Sequence, residues 1–183
     1  AKLANMHESK KREEKLADGM WKVPDRLPFG EGYTEIETKK SVMQPFFSDE
    51  RWQSEKAFIE FLEHSHNSVS WWFKNGDRDA TFFAVPYKDG DDWSPFYVDF
   101  AVMMKDGGIG LFDPHGIFLA DFPAKSDGLR AYIAHLKKKG RKIFGGIVAN
   151  TDPRRFTGQW MLYEGNGKDA RDGNWDNWTR LEL

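Results

Sequence analysis

Asp99 stands between Val98 and Phe100 in a run that is otherwise apolar. A carboxylate there is costly to bury unless it is paired or bound to a cation. Asp113 follows 14 residues later, beyond the turn signal Asp106-Gly107-Gly108. Adjacent antiparallel strands run about 5 Å apart, so these two carboxylates are expected to meet. Two close carboxylates repel unless a cation lies between them. Oxygen ligands of this type suit Mg²⁺ or Mn²⁺, the expected cofactor. His115 comes two residues after Asp113 and shares its face if the strand continues. Its imidazole could orient or deprotonate a water, or ligate the metal. Pro114 between them has no N–H, so it marks a strand end and leaves its carbonyl free. Glu55 completes the set. It precedes Phe58 by three residues and Leu62 by seven, on the core-facing stripe of a helix, where it can point into a cleft beside a sheet.

The elements that must position these groups follow from pattern. Ser54 is the expected N-cap of a helix running to about His64, with Phe58, Phe61 and Leu62 as its apolar stripe. Ser68–Phe73 is rich in aromatic and β-branched residues and reads as a strand. Asn75-Gly76 is the strongest short hairpin signal, which makes Thr81–Tyr87 the next strand. Phe96–Met104 is a third strand and Ile109–Asp113 a fourth. A second helix spans roughly Ser126–Lys139, with Gly140 as its stop. Lys142–Val148 is an apolar strand covered on both faces, and Gln159–Tyr163 a last strand. Trp175 and Trp178 are expected to dock the tail back onto the domain. The fold class is α/β, a mixed β-sheet flanked by helices.

Composition fits that outline. With 183 residues and a formal charge of −2, the chain is long enough for one domain with a proper core. Its 39% hydrophobic and 15% aromatic content argues against disorder. Zero cysteines exclude a disulfide scaffold, a thiolate zinc site and a cysteine nucleophile, and suit a reducing cytoplasm, the expected location. No window holds 18 uncharged apolar residues, so no membrane span is expected. Ala1 rather than Met at the start, with no charged-then-apolar leader, suggests a fragment or a processed chain. Ala1–Gly19 is dominated by mixed charge and reads as a solvated helix or linker. Residues 20–48 read as loop, pinned to a core by Trp21, Phe29, Tyr33, Phe46 and Phe47.

A helix bearing Glu, a β-meander carrying a first Asp, an acid-x-basic end to the next strand, then a helix and a strand resembles the PD-(D/E)xK nuclease core. The match runs from about Ser54 to Val148. The runs Glu55-Lys56-Ala57-Phe58, Trp71-Trp72-Phe73-Lys74-Asn75, Tyr97-Val98-Asp99-Phe100 and Phe112-Asp113-Pro114-His115-Gly116 resemble the C-terminal nuclease portion of type III restriction (Res) subunits and related helicase-nucleases. The resemblance implies a restriction-endonuclease-like domain over residues 49–183, with an αβββαβ core and a C-terminal docking tail, and 1–48 as a charged segment and irregular linker. It implies metal-dependent hydrolysis of a phosphodiester, with DNA as the favoured substrate and helicase or other domains of a parent protein as partners. Asp99 and Asp113 would ligate one Mg²⁺ or Mn²⁺, Glu55 a second ion or a water, and the Pro114 carbonyl would be a further ligand. Val98 replaces the proline of the family pattern and His115 its lysine. Lys74 is read as a hairpin residue, with a migrated motif lysine as the alternative.

Simpler readings stand beside these. Asp99 could lie on a polar strand face, Asp113-Pro114 could only initiate a turn, and Glu55 is also an ordinary first-turn acid. His64 and His66 read as a surface pair. Lys137–Lys139 reads as a solvated helix end. Arg154 and Arg155 form an exposed loop that could touch a nucleic-acid backbone. Two other functions remain open: a nuclease-like domain that has lost catalysis and only binds, and a carbohydrate or peptide module using exposed tryptophans.

Overall fold

The expected first helix is present as α1, Gln53–Glu63, burying Phe58, Ile59 and Leu62. Its cap is Trp52 rather than Ser54, which falls inside the first turn. In the computed structural model the described residues are 21–49, 52–64, 66–77, 81–116, 119–165 and 175–183. The expected helix or linker over Ala1–Gly19 lies outside them. The stretch expected as loop carries two short paired strands, β1 (Thr34–Ile36) and β2 (Phe46–Ser48). Of its aromatics, Trp21 packs 5.4 Å from Phe73 and Phe46 packs 4.9 Å from Trp72, ring centre to ring centre. Phe29 and Tyr33 stay exposed.

Beyond α1 come β3 (Val69–Lys74), β4 (Ala84–Asp89), β5 (Asp92–Tyr97), β6 (Phe100–Met104) and β7 (Ile109–Pro114). After the second helix, α2 (Phe122–Lys138), come β8 (Ile143–Asn150), β9 (Trp160–Tyr163) and β10 (Trp178–Arg180). One mixed sheet has the order β10-β9-β8-β7-β6-β3. Its β7–β8 pair is parallel, bridged by α2, and its other pairs are antiparallel. The two helices cover opposite faces. Phe58 and Leu62 of α1 join Trp72, Phe100, Val102, Phe112 and Val148 in one core. Leu129 and Ile133 of α2 join Phe73, Ala101, Leu111 and Ile147 in the other. Alternating residues of each strand thus serve opposite layers, as the pleat requires.

Two expectations are corrected here. Asn75-Gly76 makes no hairpin between neighbouring strands. β3 pairs with β6, and β4 pairs with β5 as a separate ribbon. The buried Asn75 side chain instead donates to the carbonyls of Phe83 and Val98 and accepts from Phe83 N–H, while Phe82 packs over Gly76. A side chain that satisfies three backbone groups at once outweighs a local turn preference. The second correction is that Phe96–Met104 is not one strand. It breaks at Val98-Asp99, because its first half belongs to the β4–β5 ribbon and its second half to the main sheet. Asp99 therefore sits at a bend rather than within a strand.

The second helix starts at Phe122, a turn before the expected Ser126, because Pro123 opens the helix instead of breaking it. Trp178 docks as expected, 4.9 Å from Tyr163, and does so inside β10, a strand the sequence did not reveal. Among the described residues no helix is long and apolar enough to cross a membrane.

Candidate functional site

The break at Asp99 creates the site. Lys74, the last residue of β3, pairs in register with Phe100, so Asp99 lies just past the end of β3. The ladder continues one step further through Asn75 N–H donating to the Asp99 carbonyl at 2.7 Å. Lys74 belongs to the strand face that meets α1, whose first turn carries Glu55. The Lys74 Nζ stands 3.0 Å from Glu55 Oε2 and 3.2 Å from Asp99 Oδ1, over the Phe100 ring at 5.3 Å. A helix and a strand end therefore deliver two carboxylates to one ammonium.

The other half lies behind. Asp113 is near the C-terminus of β7 and is buried. Its Oδ2 accepts the backbone N–H of Asp99 at 3.3 Å, and its Oδ1 stands 3.2 Å from His115 Nδ1. His115 Nε2 stands 3.2 Å from Asp121 Oδ1, and Asp121 Oδ2 pairs with Lys125 Nζ at 2.7 Å. Asp121 is the cap residue of α2 and Lys125 lies in its first turn. The result is a continuous chain of contacts, Glu55–Lys74–Asp99–Asp113–His115–Asp121–Lys125, in which Asp99 joins Asp113 through its backbone N–H. It crosses the end of the sheet from one helical layer to the other.

The protonation states follow from these contacts. Burial, then the charge of Asp113, push the Asp99 carboxyl up to about 7; Lys74 opposes this and Glu55 adds to it. Burial alone would lower the Lys74 pKa, but the carboxylates of Asp99 and Glu55 outweigh it and the net shift is upward. His115 follows the same logic: burial pulls its pKa down, the hydrogen bond and charge of Asp113 more than restore it, and the net is upward. Both its ring nitrogens face carboxylate oxygens, and only the imidazolium can donate to both. In this arrangement neither nitrogen is left to act as a base or to ligate an ion.

Glu55, Lys74 and Asp99 form the floor of an open cleft of about 940 Å³. Trp52, Phe29, Tyr33 and Asn75 also line it. Four of the residues expected to act together, Glu55, Asp99, Asp113 and His115, thus belong to one chain of contacts, although only the first two face the cleft. Pro114 closes β7 opposite Val148. Among the described residues no three carboxylate or imidazole groups form a ready cage for a metal ion. Of the carboxylates that line the cleft, Glu55 and Asp99 are separated by the Lys74 ammonium.

Lys74 is the group that sequence reasoning undervalued. The hairpin reading of Asn75-Gly76 put it at a turn, whereas pairing with β6 puts it among acids 19 and 25 residues away. Asp121 and Lys125 were not singled out at all. The available signal was Asp121 immediately ahead of a proline-opened helix. The remaining candidates lie elsewhere. His64 and His66 lie beside each other, ring centres 5.3 Å apart and planes tilted by 43°. Lys137 and Lys138 end α2, at the opposite end of the sheet from Asp113. Arg154 and Arg155 are exposed on a loop held by Asp152, whose Oδ1 accepts both their backbone N–H groups.

The YagJ family model matches residues 39–154, well over half of the chain. No curated protein and no solved structure matches it.

Proposed function

The chain belongs to the YagJ family, and we propose that its acid–lysine cleft is the active site of a divalent-cation-dependent phosphodiesterase of the restriction-endonuclease-like, PD-(D/E)xK kind, acting on DNA within a larger restriction or helicase-nuclease protein. The observation that carries this reading is the Lys74 ammonium, held 3.0 Å from Glu55 and 3.2 Å from Asp99 on the floor of a cleft. The element order supports it: a helix with the first acid, three antiparallel strands, then a helix leading to a parallel strand. The β4–β5 ribbon is an insertion between the first two of those strands.

The donor set suits Mg²⁺ or Mn²⁺. Mg²⁺ is usually held by one or two carboxylates, waters and substrate phosphate rather than by an all-protein cage, and Glu55 and Asp99 offer two carboxylates to the cleft. With Asp99 ionised, the chain of contacts holds four carboxylates against three cations, so it has room for added positive charge. A bound divalent ion supplies polarisation of the phosphate and a lowered pKa for an attacking water. Glu55 and Asp99 are the residues that would hold such an ion at the cleft. Asp113, fixed by the imidazolium of His115, clamps the Asp99 backbone so that its carboxylate keeps its direction. Lys74 is within reach to neutralise charge developing on the phosphate, the role of a preorganised cation in a transition state.

A second reading is a nuclease-like domain that binds without cutting. It is favoured by Lys74 standing between the Glu55 and Asp99 carboxylates and by His115 engaged through both nitrogens. Calorimetric titration of Mn²⁺ into wild type and Asp99→Ala, followed by a DNA cleavage assay in Mg²⁺, separates the two. Under the first reading wild type binds the ion and cuts, Asp99→Ala does neither, and Lys74→Ala loses cutting. Wild type that binds no ion and cuts nothing favours the second. Full cutting by Asp99→Ala overturns the site.

A further inference from the structure

The cleft has an aromatic wall that phosphodiester chemistry alone does not need. Trp52 is 61% exposed, Phe29 57% and Tyr33 45%, and all three line the cleft whose floor is Glu55, Lys74 and Asp99. Trp52 caps α1 one turn before Glu55, its carbonyl accepting the Lys56 N–H at 3.1 Å. Phe29 lies flat on Phe47, with ring centres 3.8 Å apart and an interplanar angle of 13°. One face of Phe29 is therefore backed, and the ring is held as a platform. Exposed large apolar side chains scattered singly are ordinary, but several gathered around one concavity mark a binding surface.

The occupant must satisfy both the wall and the floor. The wall asks for flat π-faces, and the floor asks for an anion that shares a cation with carboxylates. A neutral sugar offers stacking without the anion. In an intact duplex the bases already stack on one another and their faces are unavailable. An unpaired strand offers both, because its bases are free to stack on aromatic rings while its backbone runs along the groove. Arg26 at the cleft lining adds a cation for the backbone. Asp25, Asp49 and Asp77 also line the cleft, and the Glu55 and Asp99 carboxylates at its floor admit a backbone phosphate only with a divalent ion between them.

Resting on the phosphodiesterase reading, we propose that this cleft takes a single-stranded nucleic-acid segment, with bases stacked on Trp52 and Phe29 and a backbone phosphate at the Glu55–Lys74–Asp99 floor. Specificity for unpaired substrate then comes from the wall, and chemistry from the floor.

The test is a fluorescence-anisotropy titration of the full chain into a fluorescein-labelled oligothymidylate and into a hairpin duplex of equal length. It is run in Ca²⁺ and repeated after chelation. The strand should bind roughly tenfold or more tighter than the duplex, and chelation should abolish binding. Trp52→Ala should weaken strand binding roughly five- to hundredfold, the usual worth of a stacked base, with Trp52→Phe retaining most of it. Phe29→Ala should act in the same direction. Equal affinity for strand and duplex, or an unchanged Trp52→Ala, overturns the inference. A Mg²⁺ cleavage assay on both probes keeps the two readings apart. Duplex cut as readily as strand leaves the phosphodiesterase and removes the strand preference. Strand bound through Trp52 but never cut leaves the stacking wall and removes the hydrolysis. No binding of either probe removes both.

Discussion

The charge of Asp99 is opposed by its surroundings. Its carboxyl sits at about 7 because burial and the neighbouring Asp113 and Glu55 disfavour its charge more than Lys74 favours it. An unfolded aspartate titrates near ~3.9. Between those values the folded chain binds a proton that the unfolded chain has lost. Stability from this group therefore falls as pH rises through the window, the reverse of an ordinary salt-bridged aspartate. Asn at this position does not titrate and keeps an oxygen for Lys74. Asp99→Asn should thus unfold at higher denaturant than wild type near pH 8 in chelator, by about 1–2 kcal/mol, with the difference closing near pH 4. Urea melts across that range check this. A difference that is flat with pH would mean that Asp99 is ionised throughout. His115 shows the complementary case. The histidine that stands in the place of a motif lysine has both ring nitrogens against carboxylate oxygens and holds Asp113. That role was invisible because Asp121, its second partner, arrives from the next element.

At the scale of elements, the site depends on how closely β7 and β8 lie. Gly145 pairs with Leu111 in the parallel ladder. Its φ is +122°, and an added Cβ would fall 2.0 Å from the Leu111 carbonyl oxygen. Nothing in that contact can yield, since the neighbour is backbone. Gly145→Ala should cost roughly 3 kcal/mol or more, combining a disfavoured φ with overpacking. It should also loosen Mn²⁺ binding, because the displaced β7 carries Asp113 two residues after Leu111. Paired urea melts and Mn²⁺ titrations check both effects, and intact stability would sink the packing argument. The helices, the strands β3, β7 and β8, and the stripe bearing Glu55 were legible because each is written as local periodicity. The broken strand at Asp99 and the true use of Asn75 were not. Both result from one inserted ribbon, and whether β4 pairs with β3 or with β5 is a competition between long-range contacts that no local window records. Misreading that pairing is what hid Lys74.

The whole molecule is joined through the site. The chain of contacts begins on α1, crosses the sheet end and finishes on α2, so it ties two otherwise separate hydrophobic cores together. A ligand that binds only when this chain is assembled must stabilise the fold as a unit. At a Mn²⁺ concentration about a hundredfold above Kd, linkage raises stability by about 2.7 kcal/mol. For a chain of this size that is a rise in Tm of roughly 5–10 °C. The rise should be absent from Asp99→Ala. It should grow between about pH 6 and pH 8, because the proton on Asp99 must leave before the carboxylate accepts an ion. Thermal melts with and without Mn²⁺ on wild type and Asp99→Ala measure this directly. A shift of equal size in both proteins would move the ion away from Asp99. A shift that ignores pH would mean the ion is held without displacing that proton, and the cleft carboxylates would no longer be its ligands.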